Sequence, residues 1–105
     1  MMERVYICSP YRGMPYVNTA MAKEYCRYAF EQGFLPIAPH LYFPQFMDDN
    51  NPPERDVALQ MGLSLMTDCK EVWVFGDTVS EGMKLEIEYA NRNNKKIIFK
   101  NLEDK

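Results

Sequence analysis

The chain has 105 residues, of which 47% are hydrophobic and 26% are charged, and its formal net charge at pH 7 is −3. This length suits one domain with one core, and a mildly acidic chain without a basic run is a poor partner for duplex nucleic acid. No apolar run approaches the roughly 18 residues of a membrane span. With one histidine and three widely spaced cysteines, we predict no metal site, and we expect no other cofactor.

The N-terminal run and the cysteines indicate a compartment. The segment from Glu3 to Cys8 is too short and too strand-like for a signal peptide. Cys8, Cys26 and Cys69 are odd in number and far apart, so we interpret them as reduced thiols. Both observations favour a cytoplasmic protein.

The first half of the chain alternates strand, helix and strand. Residues 3–8 form an apolar, β-branched run that predicts the first strand, and residues 16–32 predict a helix with Gly33 as its C-terminal stop. The predicted buried stripe of that helix comprises Val17, Met21, Tyr25 and Tyr28. Residues 34–38 predict the second strand, and Pro36, which cannot donate to a ladder, places this strand at a sheet edge.

The second half continues the alternation after a long loop. Residues 39–53 contain four prolines and predict a loop, which is long enough to suggest a functional role. A second helix is predicted over residues 52–67, a third strand over 71–75, a third helix over 80–93 and a fourth strand over 95–99.

This βαβαβαβ order predicts one α/β domain over residues 1–105, with residues 101–105 as a polar tail. We expect a three-layer, flavodoxin-like or Rossmann-like sandwich around a four-stranded parallel sheet in the order 2-1-3-4. In open sheets of this type, ligands bind beyond the carboxyl ends of the strands. The candidate loops are therefore residues 9–15, 39–53 and 76–82.

A helix start and a carboxylate follow the third strand. Ser80, Glu81 and Gly82 stand where the third helix begins, and the free N–H groups and positive dipole of a helix start bind anions. Glu86 lies six residues after Ser80, beside the predicted buried stripe, whereas Glu88 should point to solvent. That stripe comprises Met83, Ile87 and Ala90. Glu86 suits nucleophilic or general-base chemistry, and the alternative is a serine N-cap followed by a surface glutamate.

The loop after the first strand offers several polar groups. Ser9, Pro10, Tyr11, Arg12 and Gly13 supply a hydroxyl, a phenol, a guanidinium and a flexible glycine. Arg12 could pair with a phosphate or a carboxylate. The alternative is a proline-shaped turn with an exposed arginine.

The loop after the second strand carries the single histidine, His40, with several aromatic residues nearby. Imidazole is a natural acid, base or ring partner, and the aromatic residues could stack on a base or pack against another subunit. These residues are Tyr42, Phe43 and Phe46. The alternative is a structural histidine.

The second helix is apolar nearly all round. One stripe comprises Val57, Met61 and Leu65, and the other comprises Leu59, Leu63 and Met66. A surface helix of a small domain normally shows one stripe. The second stripe, Leu59, Leu63 and Met66, therefore predicts a homodimer or a larger assembly through this helix, and the alternative is a wide contact with the core.

Together these segments resemble the nucleoside 2-deoxyribosyltransferase superfamily, and most closely its small bacterial and phage branch. The likeness covers nearly the whole chain and rests on Ser9-Pro10, on Cys69 through Gly76, and on Ser80-x-Gly82 to Glu86-Ile87-Glu88-Tyr89-Ala90. In the enzymes the last block typically reads Glu-Leu-Gly-x-Ala, and its first glutamate is the nucleophile, which falls on Glu86. Members that act on 5′-monophosphates hold the phosphate with a serine six residues earlier, which falls on Ser80.

The chain also departs from the pattern of that superfamily. The enzymes carry an aspartate in the second helix that contacts the substrate, whereas Gly62 stands at the corresponding position here. The nearest carboxylates are Asp56 and Asp68. Glu88 replaces a glycine, and Lys70 stands where an aspartate is common.

Three functions therefore stay open. The resemblance implies a 2-deoxyribosyltransferase or a deoxyribonucleotide N-glycosidase for a small nucleoside or nucleotide, in which Tyr6 or Tyr11 positions the sugar or Glu86. The 39–46 loop, with His40, would cover the base. The missing helix-two acid favours a non-catalytic nucleotide-binding or sensor module. The apolar second helix alone supports an oligomeric scaffold.

Overall fold

A computed structural model describes residues 2–102, so most of the tail predicted over residues 101–105 lies outside the described residues. The elements follow one another as β1 (Arg4–Cys8), α1 (Pro15–Glu31), β2 (Leu35–Ile37), α2 (Pro39–Tyr42), α3 (Pro52–Met66), β3 (Glu71–Phe75), α4 (Glu81–Arg92) and β4 (Lys96–Lys100). The three helices and four strands predicted from the sequence are confirmed to within one residue at each end. Among the described residues, no helix is long and apolar enough to cross a membrane.

The four strands form one parallel sheet in the order β2-β1-β3-β4, which confirms the predicted topology. β2 is an edge strand of only three residues, and Pro36 sits in it opposite Val5 of β1. Because proline has no N–H to donate, it is tolerated at such an edge and not in the centre of a sheet. β1 and β3 are the central strands, and helices cover both faces of the sheet.

Alternate residues of β1 point to opposite faces of the sheet. Val5 and Ile7 belong to the hydrophobic cluster formed with α1. Tyr6 and Cys8 belong to the cluster on the other face, which α3 and α4 cover. This alternation brings a phenol and a thiol of β1 against the helix that carries Glu86.

The buried face of α1 differs from the predicted stripe. Val17 and Met21 are 51% and 40% exposed, and the buried residues of the helix are Ala22, Tyr25 and Ala29. The prediction followed the large apolar side chains. Tyr25 is buried as predicted, and Tyr28 packs against the same cluster. Ala22 and Ala29, which the prediction left out, complete the buried face, and their small side chains allow a close approach to the sheet.

The segment over residues 39–53 is not a loop throughout, so that prediction was wrong in part. It begins with the short helix α2, which continues into a 3-10 turn over Phe43–Gln45. Pro39 stands at the first helical position, where its fixed φ and missing N–H are tolerated. α2 is thereby anchored directly behind β2, and it carries His40 to the ligand end of the sheet.

The apolar residues of α3 also divide differently from the prediction. Met66 is fully buried and Leu63 packs against the same cluster, so these side chains stabilise the fold of this chain rather than face another copy. Leu59 lines a cavity. The accessible stripe is the opposite one, with Val57 52% and Leu65 40% exposed.

Candidate functional site

A cavity of about 670 Å³ opens where β1, β2 and β3 end. The segments that follow these strands line it together with α3, as expected for an open parallel sheet. This volume is typical of small-molecule sites, which span about 300–1,000 Å³. Eight of the ten candidate site residues line it, namely Ser9, Tyr11, Arg12, His40, Ser80, Glu81, Gly82 and Glu86.

The other two candidate residues, Pro10 and Gly13, are not among the residues that line the cavity. Pro10 packs against the loop after β3, because a Cβ on Gly76 would lie 3.2 Å from its Cδ atom. Gly13 has a φ of +94°, a conformation that favours glycine. Both residues therefore shape the loop after β1.

The carboxylate of Glu86 is held by two side chains of β1. The Tyr6 hydroxyl donates a hydrogen bond to Oε2, and the Cys8 thiol donates one to Oε1 at 3.4 Å. Of the two candidate tyrosines, Tyr6 is therefore the one that contacts Glu86. Tyr6 and Cys8 are two residues apart in β1, so their side chains lie on the same face of the sheet, which α4 covers. This spacing is the signal in the sequence that places both side chains near Glu86.

Burial raises the pKa of Glu86 to about 6, although the hydrogen bonds from Tyr6 and Cys8 oppose this shift. Burial, followed by the charge of Glu86, raises the pKa values of the Tyr6 hydroxyl and the Cys8 thiol. Both groups therefore stay protonated at neutral pH and act as donors. The result is a largely ionised, desolvated and oriented carboxylate, which suits a nucleophile or a general base.

Helix α4 places Glu86 at the edge of its buried face, as the helical periodicity of the sequence predicts. Met83 and Ala90 are buried, Ile87 packs against the core and Glu88 is exposed. Glu86 lies between these faces and lines the cavity.

The N-terminus of α4 forms another part of the wall. Ser80 is its N-cap, and the serine Oγ accepts a hydrogen bond from the backbone N–H of Met83 at 3.3 Å. Glu81 and Gly82 follow and line the cavity with Ser80. The positive end of the helix dipole therefore lies at the cavity.

Gly62 allows α3 to approach Tyr6 closely. A Cβ at position 62 would lie 3.1 Å from the Tyr6 hydroxyl oxygen and 3.7 Å from Cγ of Pro39. A side chain at this position would push against the hydroxyl that holds Glu86. The glycine and the Tyr6–Glu86 contact are therefore structurally linked.

His40 and Ser9 form a hydrogen-bonded pair in the cavity. Nε2 of His40 lies 2.8 Å from Oγ of Ser9, and burial lowers the pKa of His40 to about 4. The ring is therefore neutral at pH 7. The sequence indicated both residues separately but gave no sign that they touch.

Sequence reasoning missed part of the charged wall. Arg12 forms an ion pair with Asp49 at 3.0 Å, which ties the loop after β1 to the segment before α3. Arg55 and Asp56 of α3 also line the cavity. The length of the 39–53 segment hinted at such a role, but its contacts depend on how α2 folds.

Within residues 2–102, no group of three or more His, Cys, Asp or Glu side chains could hold a metal ion. The three cysteines are free thiols.

The fold and the site define a parallel α/β domain with a ligand-sized cavity beyond the carboxyl ends of its strands. Residues 3–100 match the family described as Domain of unknown function (DUF7768), and the chain belongs to that family. No curated protein matches the chain.

Proposed function

We propose that the chain binds a 2′-deoxynucleoside or its 5′-monophosphate and cleaves the N-glycosidic bond, as a 2-deoxyribosyltransferase or an N-glycosidase. The observation that carries this proposal is the buried Glu86 carboxylate, oriented by Tyr6 and Cys8 at the wall of the cavity. The resemblance of the Ser80–Glu86 segment to the superfamily's nucleophile block supports the same assignment.

The reaction would follow the logic of a retaining glycosidase. The Glu86 carboxylate attacks C1′ of the sugar, the C1′–N bond breaks, and its electron pair leaves with the base, which takes up a proton. Water or a second base then attacks C1′ of the glutamyl ester and restores the carboxylate. Tyr6 and Cys8 keep the attacking oxygen in one orientation, and their hydrogen bonds keep the carboxylate ionised near neutral pH.

A 5′-phosphate would bind at the N-terminus of α4. Ser80 can donate its hydroxyl proton while its oxygen accepts the bond from the helix, and the amides of Glu81 and Gly82 are at the positive end of the dipole. Arg12 and Arg55 line the same cavity and could add charge-assisted hydrogen bonds. Arg12 would have to share its guanidinium with Asp49.

A non-catalytic nucleotide-binding module is the second candidate. Gly62, in place of the substrate-contacting acid of the enzymes, favours this alternative. Asp56 lines the cavity from α3, but it is six residues away along the helix. Binding without base release would therefore be the signature of this function.

Chromatographic detection of free base tests the two functions. The wild-type chain should release base from at least one member of a panel of purine and pyrimidine deoxynucleosides and their 5′-monophosphates. Glu86→Gln and Glu86→Ala should lower that rate by orders of magnitude, because a covalent step has no substitute. Binding of the same compound should fall much less.

Glu88→Gln is the matched control, because Glu88 lies on the same helix and is exposed. It should retain the wild-type rate. Full activity of Glu86→Ala would refute the nucleophile assignment. Nucleotide binding by a wild-type chain that releases no base from the whole panel would establish the binding module instead.

A further inference from the structure

A second pair of polar side chains lines the cavity and has no part in the nucleophilic step. Ser9 directly follows Cys8, so the end of β1 contacts Glu86 through one residue and His40 through the next. Ser9 is only 6% exposed, and its Oγ atom lies 2.8 Å from Nε2 of His40. The hydrogen bond is therefore shielded from water and fixes the imidazole ring.

The other ring nitrogen of His40, Nδ1, is not fully buried. Throughout residues 2–102, every fully buried side-chain nitrogen or oxygen has a hydrogen-bond partner. The structure shows only the Ser9 bond for the imidazole, and that bond uses Nε2. Nδ1 therefore keeps some exposed surface, and His40 is one of the residues that line the cavity.

The bond to Ser9 determines which ring nitrogen carries the proton. The neutral ring holds one proton, and the bond made by one nitrogen sets the state of the other. The 2.8 Å contact fits either direction. An imidazole lone pair is a stronger acceptor than a hydroxyl oxygen, which favours Ser9 as the donor to Nε2, as in the serine of a Ser-His pair. The proton then resides on Nδ1.

We infer that Ser9 is a positioning residue that holds His40 as its Nδ1–H tautomer, and that this N–H donates a hydrogen bond to a nucleobase in the cavity. The acceptor would be a ring nitrogen or a carbonyl oxygen of the base. The identity of this ligand rests on the proposed function, whereas the tautomer does not.

A neutral donor is well suited to this position. As the bond to the sugar breaks, the base gains negative charge, so a hydrogen bond from His40 strengthens at that moment. No proton has to move from the ring. The donor also selects bases that present an acceptor at this edge.

The tautomer can be measured directly because His40 is the only histidine. In a long-range ¹H–¹⁵N correlation spectrum of the ¹⁵N-labelled full chain at pH 7, Nδ1 should have the shift of a protonated nitrogen and Nε2 that of an acceptor. His40→Gln should remove these signals. Ser9→Ala should move both nitrogens toward the averaged shifts of mixed tautomers, and Ser9→Thr, which keeps the hydroxyl, should preserve the wild-type pattern.

Ligand contact is tested in the Glu86→Gln chain, which keeps a nucleotide intact. Thymidine 5′-monophosphate or deoxyguanosine 5′-monophosphate should shift the Nδ1 signal, and deoxyribose 5-phosphate, which has no base, should not. Adding Ser9→Ala should weaken binding of that nucleotide about two- to tenfold, the effect of one neutral hydrogen bond. Binding of deoxyribose 5-phosphate should not change.

The outcomes of these experiments distinguish a failure of this inference from a failure of the proposed function. A proton on Nε2, or a wild-type tautomer in Ser9→Ala, would overturn the positioning role. An Nδ1 signal that no nucleotide shifts, or that deoxyribose 5-phosphate shifts equally, would overturn the base contact. Absence of base release with all the expected shifts present would overturn only the proposed catalysis.

Discussion

At Glu86, burial and hydrogen bonding act in opposite directions on one proton. Removal from water disfavours the charged carboxylate, and the donors Tyr6 and Cys8 favour it. Burial has the larger effect, so the pKa rises to about 6 and the group ionises only as the pH rises above that value. A carboxylate held in this way reacts more readily than one on the surface, but it destabilises the fold.

The sign of this destabilisation follows from the raised pKa. The folded chain binds the Glu86 proton more tightly than the unfolded chain, whose carboxyl has a pKa of 4.5. The carboxyl therefore stabilises the fold fully below pH 4.5, and this contribution is lost as the pH rises through about 6. Near pH 7.5 the lost stabilisation is about 2 kcal/mol.

We predict that Glu86→Gln raises the free energy of unfolding by up to about 2 kcal/mol at pH 7.5, because it removes the buried charge and keeps the shape. The gain should shrink toward zero at pH 4.5. Urea unfolding at both values measures it. His40, whose lowered pKa destabilises the fold in acid, is present in both chains and cancels in the difference.

Glu88→Gln serves as the surface control for this comparison. Its side chain is exposed, so this substitution removes no buried charge and should not reproduce the gain in stability at pH 7.5. If the Glu86→Gln chain is less stable than the wild type at pH 7.5, then burial of the Glu86 charge does not destabilise the fold, and the prediction is wrong.

At the scale of single elements, helix α4 combines a capped start with a carboxylate a turn and a half later. Ser80 stabilises the helix by capping it, and the same hydroxyl lies at the cavity. Its two contributions can be separated because threonine keeps the hydroxyl and alanine removes it.

We predict that Ser80→Ala weakens binding of thymidine 5′-monophosphate severalfold to tens of fold, and binding of thymidine far less, because a hydrogen bond to a charged group is lost. Isothermal titration calorimetry with both compounds measures this. Ser80→Thr should bind both as the wild type does. Equal losses for the two ligands in Ser80→Ala would exclude a phosphate contact at Ser80.

The bounds of the helices and strands could be predicted from the sequence more completely than their buried faces. Period-two and helical patterns, together with Pro36 and Gly33, predict every strand and the long helices, because these signals are local. The buried face of α1 was predicted in part, through Tyr25 and Tyr28, and its alanines were missed because they carry little pattern of their own. α2 was missed because two prolines within six residues read as loop, although Pro39 is compatible with a helix start.

At the scale of the whole molecule, the site depends on contacts between distant residues. Spacing alone indicated Glu86 and Ser80, which share a helix. The hydrogen bond from Tyr6 to Glu86 joins residues 80 positions apart, and the pair of Ser9 and His40 joins residues 31 positions apart. No local pattern specifies such pairs, because they follow from strand order and from how α2 folds against the sheet.

The predicted homodimer or larger assembly is also a property of the whole molecule, and it stays a prediction. Because Met66 is buried in the core and Leu63 packs against it, any interface on α3 would lie on the side of Val57 and Leu65. Light scattering that shows a monomer at micromolar concentration would count against an assembly through this helix.

Mass spectrometry of the quenched reaction tests most directly whether Glu86 is a nucleophile. The wild-type chain is mixed briefly with the deoxynucleotide that releases base fastest, quenched in acid, digested and mapped. We predict one added deoxyribosyl group, still carrying its 5-phosphate, on the peptide that contains Glu86, and none on the same peptide of Glu86→Gln. Base release with no adduct on Glu86, or with the adduct on another residue, would contradict the account.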